Sequence, residues 1–249
     1  MFTREIVMRG FSGKSAFEYE AFVLCLYIQE YEDVQYNTDV MYKLQRLLEQ
    51  YGKQDNFKRM DVSVQSRLKW DYLMAGDSLI MITQDHAIAT EIVVEDVLNL
   101  EIELAASGVL VSGGLERGFV RWWNEKNLAG EGIINAGKLA KYAARYPRIL
   151  IREDLYTPEL QEMRLVRRTP DPSLYYLDYL YPHRQISVDY GYLHFMMQIR
   201  KLIRRGLNKY RYQKSEYIQS ELSNYLWLKN YFQRSLRYLP PEVARELAI

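Results

Sequence analysis

Hydrophobic and polar positions along the first part of the chain follow two patterns: an unbroken apolar run typical of buried strands, and a spacing typical of helices. Residues 20–28 form a continuous apolar run rich in strand-forming residues, which predicts a strand buried on both faces. From Val40 to Leu48 apolar residues recur at helical spacing, after a capping sequence at residues 37–39. This pattern predicts a helix that ends near Gly52.

A hairpin and a second helix are predicted next. Residues 62–69 and 79–83 have strand-like composition and flank the turn sequence Ala75-Gly76-Asp77-Ser78. Residues 86–106 carry Ile, Val and Leu at helical spacing with acids between them, which predicts an amphipathic helix. We expect Gly108 to end that helix.

The second half of the chain continues the alternation of strands and helices. A strand is predicted from Val109, and we expect the glycines at 113, 114 and 118 to break or bend it. The later elements are predicted as a helix over residues 132–144, strands over 148–151 and 174–180, and helices over about 190–206 and 214–238, the last ended by Pro240-Pro241.

This order of elements predicts the fold class. Alternating strands and helices indicate an α/β fold of the α+β sandwich type, and the hairpin makes the central sheet mixed, with helices flanking it. The chain of 249 residues is long enough for one sizeable core. We therefore expect one domain over residues 1–185 and a helical extension packed on it over residues 186–249.

The charge of the chain indicates which classes of partner it can bind. The formal net charge of +1 argues against general electrostatic binding, so nucleic acid is an unlikely partner on this criterion. The segment from Phe195 to Tyr238 nevertheless holds ten Lys or Arg residues and two acids, Glu216 and Glu221. A basic helical tail of this kind binds nucleic acid, a membrane surface or an acidic neighbour, although most charged helix faces are simply solvated.

Several classes of site lack sequence support. Cys25 is the only cysteine, so no disulfide forms within the chain, and no signal peptide or run of 18 apolar residues is visible. We therefore expect a cytoplasmic protein without a membrane partner. His86, His183 and His194 do not have metal-ligand spacing, and no Gly-x-x-x-x-Gly-Lys phosphate loop occurs.

Gly76-Asp77 is the strongest candidate for chemistry. A carboxylate at the tip of a hairpin lies at a solvent-facing sheet edge, where it suits Mg²⁺ that keeps some waters and binds phosphates. The alternative is that Asp77 only stabilises the turn, as Asp often does.

The residues around this turn resemble a known family. Ala75-Gly76-Asp77-Ser78-Leu79-Ile80 is similar to the Asp-Ser/Thr-Ile-Val hairpin of class III nucleotidyl cyclases, in particular the bacterial pyrimidine cyclases of the Pycsar antiphage systems. Further segments resemble motifs of that family in the same order: Ser112–Gly118, Gly130–Leu139, Tyr146–Ile149, Tyr176–Leu180 and Glu221–Tyr231. Common fold does not by itself imply common activity.

The resemblance implies a two-metal mechanism. Such enzymes use two carboxylates to hold two Mg²⁺ or Mn²⁺ ions, and they convert a nucleoside triphosphate, here UTP or CTP, to a 3′,5′-cyclic nucleotide and pyrophosphate. They are typically head-to-tail homodimers with active sites at the subunit interface.

Candidate site residues follow from this resemblance. Asp77 is the expected metal ligand and, with Lys138, the expected catalytic group. The expected nucleotide-binding residues are Gly76, Ser78, Leu73, Arg117 and Asn135. For Lys138 and Arg117 the alternative is an ordinary surface charge on a helix start and a turn.

One part of the family pattern is missing. The family's first strand ends Asp-x-x-Gly-Phe, whereas the matching residues here are Tyr27-Ile28-Gln29-Glu30-Tyr31. A phenol stays protonated near neutral pH, so it does not replace a carboxylate between two Mg²⁺ ions. Glu30 would point to the opposite strand face unless a bulge intervened. In related purine cyclases, a polar side chain four residues before the hairpin Asp reads the base. Here Leu73 holds that position, and it cannot hydrogen-bond to a base.

Three functions remain open on the sequence. The first is a cyclase-fold protein with lost or reduced catalysis that acts in antiviral defence by binding a nucleotide or regulating a partner protein. The second is an active pyrimidine cyclase with an altered metal site, which would need Mg²⁺ or Mn²⁺. The third is a non-enzymatic interaction module that uses the basic C-terminal helices.

Overall fold

A computed structural model describes residues 18–52, 68–124, 127–143, 145–182, 191–212 and 216–249. Strand β1 (Glu18–Ile28) lies inside the sheet, between β3 and β4. Phe22, Leu24 and Leu26 point into the main core, while the alternate residues, such as Val23, point into a smaller core on the other face. Both faces of the strand are covered, which explains its nearly unbroken hydrophobicity.

The sheet is mixed, as predicted. In the described residues it has eight strands in the order β2-β3-β1-β4-β6-β8-β7, with β5 paired to β4. The pair β4–β6 is parallel and the other pairs are antiparallel. The remaining strands are β2 (Asp71–Ala75), β3 (Ser78–Gln84), β4 (Val111–Asn124), β5 (Asn127–Ala129), β6 (Ile149–Arg152), β7 (Val166–Arg168) and β8 (Leu174–Leu177).

Helices cover both faces of this sheet. They are α1 (Tyr31–Tyr36), α2 (Thr38–Gly52), α3 (Thr90–Ala106), α4 (Glu131–Ala143), α5 (Pro158–Glu162), α6 (Gly191–Tyr210), α7 (Glu216–Ser235) and α8 (Pro241–Leu247). Helix α3 contacts both β4 and α6, so it is buried around most of its circumference, whereas α4 packs on the other face against β1, β4 and β6. No helix in the described ranges is long and apolar enough to cross a membrane.

The first half of the chain forms a split βαβ arrangement. Strand β1, helix α2, hairpin β2–β3, helix α3 and strand β4 follow one another, and the sheet order β2-β3-β1-β4 inserts β3 between β2 and β1. The end of β1 and the hairpin turn are therefore direct neighbours.

Three predicted strands differ from the structure. The first strand of the hairpin is β2, at residues 71–75, whereas the sequence predicted it over 62–69. Of that predicted range, residues 62–67 lie outside the described part of the chain. The glycines at 113, 114 and 118 do not interrupt β4, which runs continuously from Val111. The strand predicted over 174–180 ends at Leu177, because Asp178 turns inward to bind Arg167 and Tyr231.

The predicted helices agree with the structure to within a few residues. Several predicted limits lie outside the described residues. They are the starts of the last two helices at 190 and 214, the end of the helix over 132–144, and the domain boundary at 185/186. The last predicted helix is α7 followed by a short 3-10 turn at Leu236–Tyr238, and the two prolines introduce a further short helix, α8.

Candidate functional site

Asp77 lies in a two-residue turn between β2 and β3. Ala75 pairs with Ser78 across the turn, and Gly76 has a left-handed φ of 59° that favours glycine. The Ser78 hydroxyl donates to Asp77 Oδ1 at 3.0 Å, and the Ile28 amide donates to the Asp77 carbonyl at 2.8 Å. The turn is therefore tied to the end of β1, and the Asp77 side chain is exposed to solvent.

Two tyrosines lie at the end of β1, near this turn. Tyr27 is the register partner of Ser78, and directly opposed residues of an antiparallel pair project from the same face of the sheet. Tyr31, at the start of α1, is close enough for the Asp77 charge to act on it: burial raises the pKa of Tyr31, and Asp77 raises it further. The family resemblance matches Tyr31 to the Phe of the Asp-x-x-Gly-Phe pattern but gives no sign of this contact.

Glu30 does not supply a second acid to the turn. Strand β1 ends at Ile28, and Glu30 follows in a left-handed conformation with a φ of 51° rather than in the strand. Its carboxylate accepts hydrogen bonds from the hydroxyls of Tyr225, at 2.7 Å, and Tyr210, and it pairs with Lys209 Nζ at 3.2 Å. All three donors belong to α6 and α7, so this carboxylate is committed to the C-terminal helices.

An open groove of about 700 Å³ lies beside this Glu30 cluster. Gln29, Asp33, Arg205 and Lys209 are among the residues that line it, together with the loop that follows α3. Neither Tyr27 nor Asp77 lines the groove. Sequence reasoning missed it because its wall joins residues about 180 positions apart in the chain.

The glycines of β4 make room for helix α4. A Cβ atom at Gly114 would come within 2.7 Å of Leu139 Cβ and 2.8 Å of the Ala136 carbonyl. A Cβ atom at Gly118 would come within 2.9 Å of Gly132 Cα. The glycine pattern therefore serves the close approach of α4 to the sheet.

The predicted site residues separate into two groups. Gly76, Asp77 and Ser78 form the turn, and Leu73 lies one row away, opposite Ile80 and on the face of Tyr27. Arg117 is distant from them: its register partner, Phe22, lies five residues before Tyr27, about 17 Å along the strand and on the opposite face. It forms ion pairs with Glu20 at 3.2 Å and Asp85 at 2.5 Å.

Lys138 and Asn135 lie on α4, away from the turn within one chain. Ala136 and Ala140 face the sheet, so Lys138, two residues from each, lies on the outer side of the helix, where it is exposed. Asn135 is on the flank of α4 towards β6 and makes a long contact of 3.5 Å with Glu131 Oε1.

The remaining segments that resemble the family meet at Arg148. Its guanidinium lies 5.2 to 5.9 Å from the ring centroids of Tyr146, Tyr176 and Trp227. Desolvation by this aromatic surrounding lowers the pKa of Arg148. Because Trp227 belongs to α7, the cluster attaches the C-terminal helices to the sheet.

Asp178 reinforces this attachment. Its carboxylate accepts from the Tyr231 hydroxyl at 2.6 Å and pairs with Arg167. The Tyr231 hydroxyl in turn accepts the Leu180 amide at 3.1 Å. These late segments therefore have an evident packing role.

No protein-family model matches the sequence, and no curated protein does. Within the described residues, no three His, Cys, Asp or Glu side chains are grouped so as to hold a metal. The turn thus presents one carboxylate, one serine hydroxyl and two neighbouring phenols. This set does not fit a centre of two divalent ions, which requires more than one anionic ligand.

Proposed function

We propose that this chain is a nucleotidyl cyclase-fold protein with impaired catalysis, related to the pyrimidine cyclases of antiphage defence. It binds a nucleoside triphosphate and acts through that binding or through a partner protein of the defence system. We place it in the cytoplasm, where such nucleotides are available.

The position of Tyr27 carries this proposal. It occupies the strand end where the family has its first metal-binding carboxylate, opposite Ser78 and next to the Asp77 turn. Glu30, the nearest acid along β1, is bound by Tyr210, Tyr225 and Lys209. Among the described residues, Asp77 is then the single carboxylate of the turn, where paired metal ions need at least two.

The sheet order supports the cyclase-like fold. The family resemblance requires the end of the first strand and the hairpin turn to be neighbours, and β1 pairs directly with β3. The glycine segment and the helix start that resemble family motifs also pack on each other, through Gly118 and Gly132.

Asp77 remains suited to a nucleotide that carries its own metal. A single exposed carboxylate together with triphosphate oxygens matches the way Mg²⁺ is often held, with several waters retained. Leu73 offers no hydrogen bond to a base, so a pyrimidine would be recognised by other groups.

A homodimer would complete this site. Helix α4 exposes Ile134 by 57% and Tyr142 by 58%, next to the outward-facing Lys138. Exposed apolar side chains together on one helix are typical of an interaction surface. In a head-to-tail pair, a second copy would bring Lys138 and Asn135 to the turn.

The test is a turnover assay combined with a binding measurement. The parent protein is incubated with the four nucleoside triphosphates and Mn²⁺, and products are analysed by mass spectrometry, while calorimetry measures the binding of UTP and CTP. We expect no cyclic nucleotide, and binding of a pyrimidine triphosphate that Asp77→Ala weakens and the exposed control Glu159→Ala preserves. Sustained formation of a cyclic nucleotide would establish the active-cyclase alternative, and absence of any nucleotide binding would refute the proposal.

A further inference from the structure

Helix α6 carries an exposed cationic face. Lys201, Arg204 and Arg205 are exposed, and at 100° per residue they lie within a sector of about 100° of the helix. Arg211 follows directly after the helix and is also exposed. None of these four side chains forms an ion pair with a residue that the structure describes.

Helix α6 itself contains no Asp or Glu, and the next acid along the chain is Glu216. At one edge, Glu30 and Asp33 approach the helix, but both bind Lys209. The net charge of +1 therefore conceals a local surface of cations that have no ion pair with a described residue, and the total charge does not describe this surface.

Exposed apolar side chains accompany the cations. Met197, one turn before Lys201, is 53% exposed, and Tyr212, next to Arg211, is 83% exposed. An exposed aromatic ring beside cations matches the surfaces on which single-stranded nucleic acid binds, where the bases stack and the phosphates are neutralised.

A membrane fits this surface less well than a nucleic acid does. Helices that lie on a bilayer insert an apolar face below the headgroups. The apolar face of α6, with Phe195, Met196, Ile199 and Ile203, is buried within the protein, where α6 packs against α7. Among the described residues of α6 and the two that follow it, Met197 and Tyr212 are the exposed large apolar side chains.

We propose that the outer face of α6, formed by Lys201, Arg204, Arg205, Arg211 and Tyr212, binds single-stranded nucleic acid through its phosphates, with Tyr212 stacking on a base. From Lys201 to Arg211 the cations extend about 15 Å along the helix, which is room for several consecutive phosphates. This inference is independent of the nucleotide site at Asp77.

The experiment measures fluorescence anisotropy of labelled single strands of about 20 nucleotides, uridine RNA and thymidine DNA, with the full chain. If four phosphates are neutralised, we expect the Kd to rise about 50-fold between about 50 and about 200 mM salt. A duplex of the same length should bind more weakly, since its bases are not free to stack.

Variants assign the binding to the surface. Lys201→Ala/Arg204→Ala/Arg205→Ala/Arg211→Ala should weaken binding more than about tenfold at low salt and flatten its salt dependence. The control Lys43→Ala/Arg46→Ala/Lys141→Ala/Arg234→Ala removes four exposed cations elsewhere and should bind within about twofold of the parent. Tyr212→Ala should reduce affinity for single strands without changing the salt dependence.

Three results would overturn the proposal. One is equal binding by the parent and the α6 variant when both proteins have the same unfolding midpoint. Another is an equal loss in the control variant, which would indicate general charge attraction. The third is binding to vesicles of anionic phospholipid without binding to either single strand, which would assign the surface to membranes.

Discussion

Tyr27 and Ser78 are paired across strands β1 and β3, so that a phenol projects from the sheet beside the turn that holds the Asp77 carboxylate. The two phenols at this turn, of Tyr27 and Tyr31, change what the site can bind. By the family resemblance, a carboxylate at position 27 would be the second metal ligand beside Asp77, whereas Tyr27 is half-buried against the smaller core. The absence of that carboxylate among the described residues of the turn is the basis of the proposed loss of turnover.

Glu30→Gln should destabilise the attachment of the C-terminal helices. The carboxylate is 10% exposed and receives two tyrosine hydroxyls and one ammonium group, and hydrogen bonds to a charged group are strong. We expect the free energy of unfolding, from urea titration, to fall by about 2 kcal/mol.

Asp33→Asn is the matched control for this change. Asp33 pairs with the same Lys209, but its side chain is 59% exposed. Its loss should alter the free energy of unfolding by less than about 0.5 kcal/mol. Equal effects of the two variants would show that the buried cluster contributes no more than an exposed ion pair.

Glu101→Gln should change the pH dependence of stability. Glu101 is 2% exposed in the core, and burial raises the pKa of Glu101 well above its usual value, with a further rise from the Asp178 charge. The folded state therefore favours the protonated acid. The stability that the protonated Glu101 contributes is complete below pH 4.5, the ordinary pKa of a glutamate, and is lost as the pH rises towards the pKa of Glu101 in the folded state.

Urea unfolding between pH 5 and pH 8 measures this effect. The parent should lose stability relative to Glu101→Gln as the pH rises, by up to about 1.4 kcal/mol per pH unit. The exposed control Glu159→Gln should follow the parent. Parallel curves for the parent and Glu101→Gln would mean that Glu101 ionises as readily in the folded state as in the unfolded state.

Gly114→Ala should destabilise the protein by about 1–3 kcal/mol, because the added methyl group meets the backbone of α4. Gly137→Ala, on α4 itself, is the control: its Cβ has no neighbour within 4 Å. Since glycine is unfavourable within a helix, this control should gain about 0.5–1 kcal/mol. Thermal unfolding of both variants tests the packing role, and a tolerated Gly114→Ala would remove it.

Elements with strong periodicity were predictable from sequence. The apolar run of β1 and the helical spacing in α2 and α3 place these elements to within a few residues, because their patterns record long buried faces. Short elements such as α1 and β7 lack this signal, since six or three residues are too few to show a period. Their positions depend on tertiary contacts.

The candidate site was predictable only around its turn. The residue types of Gly76-Asp77 predict a hairpin turn. The pairing of β1 with β3 follows from the fold that the resemblance implies. The binding of Glu30 by Tyr210 and Tyr225 joins residues 180 and 195 positions apart, and no local pattern records it. For the same reason, the distance of Arg117 from the turn became visible only in the sheet register.

The number of carboxylates at the turn is tested most directly by Mn²⁺ binding. Calorimetric titration, in the presence of a non-hydrolysable UTP or CTP analogue, compares the parent with Tyr27→Asp and with Tyr27→Asp/Asp77→Asn. We predict weak binding of at most one ion by the parent, binding at least about tenfold tighter in Tyr27→Asp, and loss of that gain in the double variant. Tight binding of two Mn²⁺ ions by the parent, abolished by Asp77→Asn, would contradict the account.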